Sequence, residues 1–323
     1  MTEPDSTFAN AAELLGRITE QLGTQLGHLR PYGHRPRKQE QEVTPPMNIT
    51  GRAAPAPTDP APVGIAPARP ALAGTAPTAP TLVAVGHGSR DPRARATLNR
   101  LLDRVRELRP GLDVRLAHIE LNTPLLDTTL AGLAAEGRDA VLVPLLFAPG
   151  HHVTHDLPAA LAAEPALRAR VAEPLGAHPL LVEALADRLA RAGWDTEDGT
   201  SAGTGVVLAS AGSRDPRSGA EIRRIAALLG ERLGGVPVVP AYTSAAAPTV
   251  PEAVRALAAR GRHRVAVASC FTAPGLFATR AAAHAPWIAA APLGAHPALA
   301  RLVLHRYDAA LRATTREREL ATV

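Results

Sequence analysis

Two histidines and a glutamate stand at the ends of three successive apolar runs. His87 follows the run Thr81–Val85, Glu120 closes Val114–Ile119, and His152 follows Val141–Phe147. Short apolar runs bounded by turn residues read as strands. If the three strands are parallel in one α/β sheet, their C-terminal ends share one rim, where such folds place ligands. Two imidazoles and a carboxylate on one rim suit a transition-metal site or an acid/base site. Neutral imidazole nitrogen binds borderline divalent ions such as Co²⁺, Fe²⁺, Ni²⁺ and Zn²⁺. Its pKa near 6.5 also lets it take a proton at neutral pH. Glu120 can complete the coordination or relay protons. So few protein ligands leave open positions, so an ion would be exchanged or delivered, not held structurally. A structural zinc site would want four ligands, usually with cysteines, and Cys270 is the only cysteine. His118, His151 and His155 are near neighbours and possible extra ligands; a surface role is expected for each.

The elements that must position these residues follow from the pattern. Leu82–Gly86 reads as a strand, and Asp91-Pro92 opens a helix with Pro at its first position. Leu98, Leu101, Leu102, Val105 and Leu108 mark the buried stripe of that helix. Val114–Ile119 is a second strand, followed by a helix over Pro124–Glu136 that Gly137 stops. Ala140–Phe147 is apolar throughout, as expected for a strand covered on both faces. A helix near Asp156–Arg168, a strand at Val171–Pro174 and a helix from His178 to Arg191 complete the unit. Alternating β and α at this spacing means a parallel sheet with helices on both faces.

The unit then repeats. Gly-Ser-Arg-Asp-Pro-Arg occurs at 88–93 and 212–217, Ala-Pro-Gly at 148–150 and 273–275, and Pro-Leu-Gly-Ala-His-Pro at 174–179 and 292–297. Three matches in one order, at offsets of 124, 125 and 118, mark a duplicated domain. The repeat is an internal control: features in both halves serve the fold, and features in one half serve a site. Asp91 and Asp215 recur and read as helix N-caps. His178 and His296 recur before a Pro and read as turn or cap residues. The three rim residues do not recur. At those offsets His87 faces Ala211, Glu120 faces Ser244 and His152 faces Phe277. Their loss as a set points to one shared site.

The expected organisation is an extension over 1–80, an N-terminal lobe over 81–194 carrying the metal site, a linker over 195–204, a degenerate C-terminal lobe over 205–312 and a tail over 313–323. The extension holds a short amphipathic pattern (Phe8, Leu14, Leu15, Ile18, Leu22, Leu26), then an Ala/Pro-rich stretch from Gly51 to Pro80 expected to be a disordered linker.

Composition excludes other classes. The chain has 323 residues, of which 46% are hydrophobic and 20% charged. That is enough for two packed domains. No run of about 18 apolar residues occurs, so no membrane span is expected. Met1–Asn10 has no apolar segment, so no secretory leader is expected. The single cysteine lies inside the apolar run Val265–Phe271, which fits a buried thiol in a reducing cytoplasm. The net charge of +5 comes from arginines that alternate with acids on helices, and aromatics are only 3%. Nucleic-acid binding wants a basic stripe with stacking aromatics, and neither is present.

Val-Gly-His-Gly-Ser-Arg at 85–90, His-Ile-Glu-Leu-Asn-Thr-Pro at 118–124 and Pro-Leu-Leu-Phe-Ala-Pro-Gly-His-His-Val-Thr-His-Asp-Leu-Pro at 144–158 resemble the sirohydrochlorin chelatases, class II tetrapyrrole chelatases of the cobalamin and siroheme pathways. The resemblance covers about 81–310 and is weaker in the second half. It implies two flavodoxin-like lobes with the macrocycle between them. It implies an ATP-independent enzyme in which His87 and His152 bind the incoming Co²⁺, Fe²⁺ or Ni²⁺ and accept pyrrole protons, with Glu120 as the acidic partner. The metal is then a substrate, and no cofactor is bound permanently. Ser89, Arg90, Arg214 and Arg280 are candidates for meeting the substrate's carboxylates, since guanidinium pairs with carboxylate bidentately. An ion pair beside the Asp-Pro cap is the alternative use of those arginines. Both lobes lie in one chain, so a monomer can complete the site. Two other functions compete: a metal or tetrapyrrole carrier that never turns over, and a histidine phosphatase, where Arg normally precedes the histidine and Gly86 stands here instead.

Overall fold

The computed structural model describes residues 79–199 and 201–321. The helix and linker expected over 1–80 lie almost wholly outside the described residues. Two four-stranded parallel sheets make up the described chain, with strand orders β2-β1-β3-β4 and β6-β5-β7-β8. In the first lobe these are β1 Thr81–Gly86, β2 Val114–His118, β3 Ala140–Pro144 and β4 Ala169–Val171. In the second they are β5 Thr204–Ser210, β6 Val238–Tyr242, β7 Arg264–Ser269 and β8 Ile288–Ala289. The helices of the first half are α1 Pro92–Leu108, α2 Leu126–Ala135, α3 Leu157–Ala162 and α4 Pro179–Arg191. Those of the second are α5 Pro216–Arg232, α6 Val250–Ala258, α7 Leu276–Ala282 and α8 Pro297–Ala321, the last running on through the stretch set apart as a C-terminal tail. Among the described residues no helix is long and apolar enough to cross a membrane.

The repeated motifs prove to be caps. Asp91 Oδ1 accepts the Arg93 backbone N–H at 2.9 Å, and Asp215 Oδ1 accepts that of Arg217 at 2.9 Å. Each carboxylate also pairs with the Arg two residues on, at 2.7 Å. The cap ion pair is therefore made by Arg93 and Arg217, not by Arg90 and Arg214. Imidazole caps the other two helices: His178 Nδ1 accepts from Leu180 N–H, and His296 Nδ1 from Ala298 N–H, both at 3.1 Å.

Alternation along the strands sets the layers. On β1, Leu82 and Ala84 face one buried cluster while Val83 and Val85 face another. The first cluster is continuous through both lobes and includes Leu181, Leu185, Leu302 and Val303. Its continuity comes from an exchange of helices. α4 leaves the first lobe and packs on α5 and β7 of the second, and α8 returns to pack on α1 and β3 of the first. The repeated Pro-Leu-Gly-Ala-His-Pro segments are the crossover points. Arg306 donates to Leu175 O at 2.7 Å, and Arg188 Nε donates to Leu293 O at 3.0 Å, a reciprocal pair 118 residues apart in both members.

The differences from expectation have local causes. Leu108 is 50% exposed as the last residue of α1, whose buried stripe ends at Val105. The helix expected near Asp156 is instead a π-helical turn, His152–Asp156, running into the short α3. β3 ends at Pro144, before the expected Phe147, as its counterpart β7 ends at Ser269, although Leu145 N–H still donates to Val85 O at 2.8 Å. The fourth strand runs Ala169–Val171, earlier than expected, in register with Ala140–Leu142 of β3.

Candidate metal centre

The turn after β1 places His87. Gly88 has φ +113°, and a Cβ there would lie 1.9 Å from Glu120 O. Only glycine fits such a position. Glu120 N–H donates to His87 O at 3.0 Å. This close backbone approach lays the His87 turn on the Glu120 turn. The second lobe repeats the frame without the chemistry. Gly212 has φ +93°, its Cβ would lie 2.0 Å from Ser244 O, and Ser244 N–H donates to Ala211 O at 2.9 Å. Leu121 and Ala245 both adopt left-handed φ, 66° and 55°, each shortly before a cis proline, Pro124 and Pro248.

His87 and His152 lie against each other, with ring centroids 4.5 Å apart and planes at 89°. An imidazole nitrogen holds a divalent ion at about 2.1 Å, which puts the ion about 3.3 Å from the ring centre. Two such arms spanning 4.5 Å would meet at roughly 90° at an ion shared by both Nε2 atoms. That suits adjacent positions of an octahedral ion. Each ring also has a carboxylate at Nδ1. His152 Nδ1 lies 2.6 Å from Asp156 Oδ2. His87 Nδ1 lies 3.4 Å from Glu120 Oε1. An ionised carboxylate only accepts, so at His152, where the contact is a hydrogen bond, Nδ1 carries the proton and Nε2 keeps its lone pair, whereas Glu120 makes a looser charge contact with His87. Burial, and then the neighbouring His152, hold the His87 pKa below the usual imidazole value, which favours the neutral, ligating ring.

Among the described residues, no three His, Cys, Asp or Glu side chains form a ready-made ion cage. The two rings offer the ion positions, and Glu120 is engaged at His87 Nδ1. Sequence reasoning does not find Asp156, although a signal for it is present: an acid four residues after His152 in a helical segment faces the same side.

All three residues line one cleft of about 900 Å³ between the lobes, and so do Ala211, Ser244 and Phe277. Ser89 and Arg90 also line it. Arg214 and Arg280 are exposed and absent from its lining. Among the described residues, the second lobe thus brings no guanidinium to the cleft lining. Arg95 does line the cleft and is not among the sequence candidates. It lies one helical turn before Leu98, on the face of α1 that Asp91 begins. His151 lines the cleft, and His155 is stacked on it at 4.7 Å, with Thr154 Oγ1 2.8 Å from its Nδ1. His118 is not a surface residue. It is 1% exposed at the end of β2, its Nδ1 has no hydrogen-bond partner, and burial lowers its pKa. Cys270 is buried, and burial raises its thiol pKa, so it stays protonated.

The CbiX family model matches residues 81–192 and 205–310. The chain is 26% identical over 206 residues to a sirohydrochlorin cobaltochelatase of Priestia megaterium, covering 61% of this chain and 65% of the relative. It is 27% identical over 176 residues to a sirohydrochlorin ferrochelatase of Bacillus subtilis, covering 53% and 66%. Both matches span just under two thirds of the relative's own length. A sirohydrochlorin cobaltochelatase of Methanopyrus kandleri matches at 30% over 136 residues, 34% of this chain and 95% of the relative. Among solved structures, SirB from Bacillus subtilis with Fe³⁺ superposes with a TM-score of 0.57 at 23% identity, over 71% of this chain and 94% of that one. SirB from Bacillus subtilis subspecies spizizenii with cobalt gives 0.56 at 22% identity, over 70% and 92%. These structures share the two-lobed fold.

Proposed function

The chain belongs to the CbiX family, and we propose that it inserts a divalent metal, Co²⁺ or Fe²⁺, into sirohydrochlorin without ATP. The observation that carries this reading is the pair of edge-to-face imidazoles, ring centroids 4.5 Å apart, each with a carboxylate near Nδ1, inside a two-lobed cleft.

The roles follow from the geometry. His87 and His152 present the ion on Nε2, at adjacent positions, with the other positions open to water and then to pyrrole nitrogens. Insertion of one M²⁺ releases two pyrrole protons, so charge balances. The two imidazoles accept those protons as the ion leaves them. Glu120 and Asp156, at the two Nδ1 atoms, stabilise the imidazolium that forms. Arg90 and Arg95 meet the substrate's carboxylates at the rim. Imidazole donors suit several borderline ions, so availability decides between them. The metal is a substrate in this scheme, and one chain supplies both walls of the site. A cytoplasmic setting keeps Cys270 reduced.

The test follows the free macrocycle's absorption on adding protein with Co²⁺, Fe²⁺ or Ni²⁺ in parallel, without ATP. Loss of that spectrum over many turnovers is expected, and it separates an enzyme from a stoichiometric carrier. A wild-type chain that leaves the spectrum unchanged with all three ions would sink the proposal. Unchanged rates for His87→Ala and His152→Ala would sink the assignment of their roles.

A further inference from the structure

The two walls of the cleft are chemically unlike. Among the described residues, every charged or imidazole side chain that lines it comes from the first lobe, and the second lobe contributes none. The large exposed side chains that the second lobe brings there are apolar. Five large hydrophobic side chains are exposed among the described residues, and three of them, Leu121, Leu276 and Phe277, line this cleft. Leu276 is 61% and Phe277 37% exposed. Such a cluster at a cleft marks a surface that is covered when the site is occupied.

The duplication sharpens the point. Leu276 and Phe277 stand where the first lobe has His151 and His152. The lobes also touch reciprocally at these loops. A Cβ on Gly150 would lie 3.5 Å from Ser213 Oγ, and one on Gly275 would lie 3.3 Å from Ser89 Oγ. Gly275 immediately precedes Leu276-Phe277, and Ser89 is two residues past His87. The Phe277 segment is therefore seated directly beside the His87 turn, across the lobe boundary.

We propose that Phe277, with Leu276, is the platform for the planar face of the macrocycle, opposing the face on which His87 and His152 deliver the ion. The second lobe has thus exchanged a ligand for a stacking surface. This rests on the chelatase reading above and assigns the substrate-positioning residue within it. A flat conjugated ring stacks favourably on an aromatic face, and an uncharged wall leaves the ion on the imidazole side.

The experiment uses the full chain and metal-free sirohydrochlorin, whose own fluorescence reports binding. Phe277→Ala is expected to weaken macrocycle binding about tenfold and to raise KM for sirohydrochlorin more than it lowers kcat. Phe277→Trp should restore binding and quench the macrocycle's emission. The affinity of the macrocycle-free protein for Co²⁺ should be the same in all three proteins. Thermal unfolding checks that the variants fold. Macrocycle binding by Phe277→Ala within twofold of wild type overturns the proposal, as does a loss of Co²⁺ affinity equal to the loss of macrocycle affinity. A wild-type chain that binds no sirohydrochlorin refutes the chelatase reading and this inference with it. A wild type that binds, with Phe277→Ala its equal, refutes the platform alone.

Discussion

Replacing Asp156 by Asn isolates the part of the site that no ligand pattern reveals. The change keeps the shape of the side chain and removes its charge. At present Asp156 Oδ2 sits 2.6 Å from His152 Nδ1 and can only accept. An amide can also donate, which lets His152 carry its proton on Nε2, the nitrogen the ion needs. Loss of a carboxylate behind a metal-binding imidazole typically costs about 10–100-fold in affinity or activity, about 1.4–2.7 kcal/mol. The side chains of His152 and Asp156 are 32% and 37% exposed. Solvent therefore screens part of the interaction. The lower end is expected: Co²⁺ binding about tenfold weaker, or about 1.4 kcal/mol. Visible titration of Co²⁺ into the macrocycle-free protein measures this directly, and the insertion rate at subsaturating Co²⁺ should fall in parallel. Melting temperature should hold within a degree or so, since a partly exposed isostere disturbs no core. If Asp156→Asn binds Co²⁺ within twofold of wild type while His152→Ala does not bind it, the carboxylate does not set the tautomer and the argument fails.

Three further outcomes are expected. Gly88→Ala and Gly212→Ala meet nearly equal clashes, at 1.9 Å and 2.0 Å from a backbone oxygen. Each should cost about 2 kcal/mol and lower Tm by roughly 5 °C. Only Gly88→Ala should also abolish Co²⁺ binding; equal loss in both would show that the second turn is not the bare frame described. Arg188→Ala and Arg306→Ala each remove a guanidinium from a crossover carbonyl. They should destabilise alike, by about 1.5–3 kcal/mol, and a difference beyond about twofold would refute the reciprocity. For pH, burial lowers the pKa of His296 from 6.5 in the fold, so the unfolded chain binds the proton more readily. Its contribution to stability is full above pH 6.5 and is lost as pH falls from there towards its folded value. Chemical denaturation across that window should show a shallower acid slope for His296→Asn, which can still cap α8, and an unchanged slope would refute the assignment.

Much of the fold is legible in the sequence because burial on both faces writes itself as unbroken apolar runs. β1, with all six residues buried, is the plainest example. The duplication is legible because the caps Asp91 and Asp215 and the turn glycines Gly88 and Gly212 each have a stereochemical job that few residues can do. The meeting of His87, Glu120 and His152 follows from three parallel strand ends on one rim. The helix exchange is not legible. Its crossover contacts run from Arg188 and Arg306 to main-chain carbonyls, which carry no residue signature, its side-chain pair Arg109–Asp308 joins residues 199 apart, and α4 and α8 would show the same amphipathic stripe in either packing. His118 defeats a sequence reading for a related reason. Its position on β2 gives only its face, and whether that face is covered depends on α1, through Leu98 beside Gly86. The cleft's arginines are half legible: Arg90 lines it from the turn, but Arg95 needs the helix phase, and Arg214 and Arg280 lie exposed outside the lining.

The helix exchange also bears on how the two rims can differ while the two frames agree. Each lobe completes the inner face of its sheet with a helix from the other half, so neither can be discarded once the halves are fused. α8 supplies Tyr307, whose hydroxyl donates to Pro80 O at 2.6 Å just ahead of β1, and Arg109 pairs with Asp308 across the same seam at 2.5 Å. The second lobe is thereby held in place by packing and not by its part in the site. The turn at 211 and 244 stands on Gly212, on the Ser244 N–H bond to Ala211 O and on Ser244 Oγ, which donates to the same carbonyl at 2.8 Å, so it keeps its shape without an imidazole or a carboxylate. The shared frame and the divergent rim are two consequences of one arrangement: structure is common to the halves, and chemistry is not.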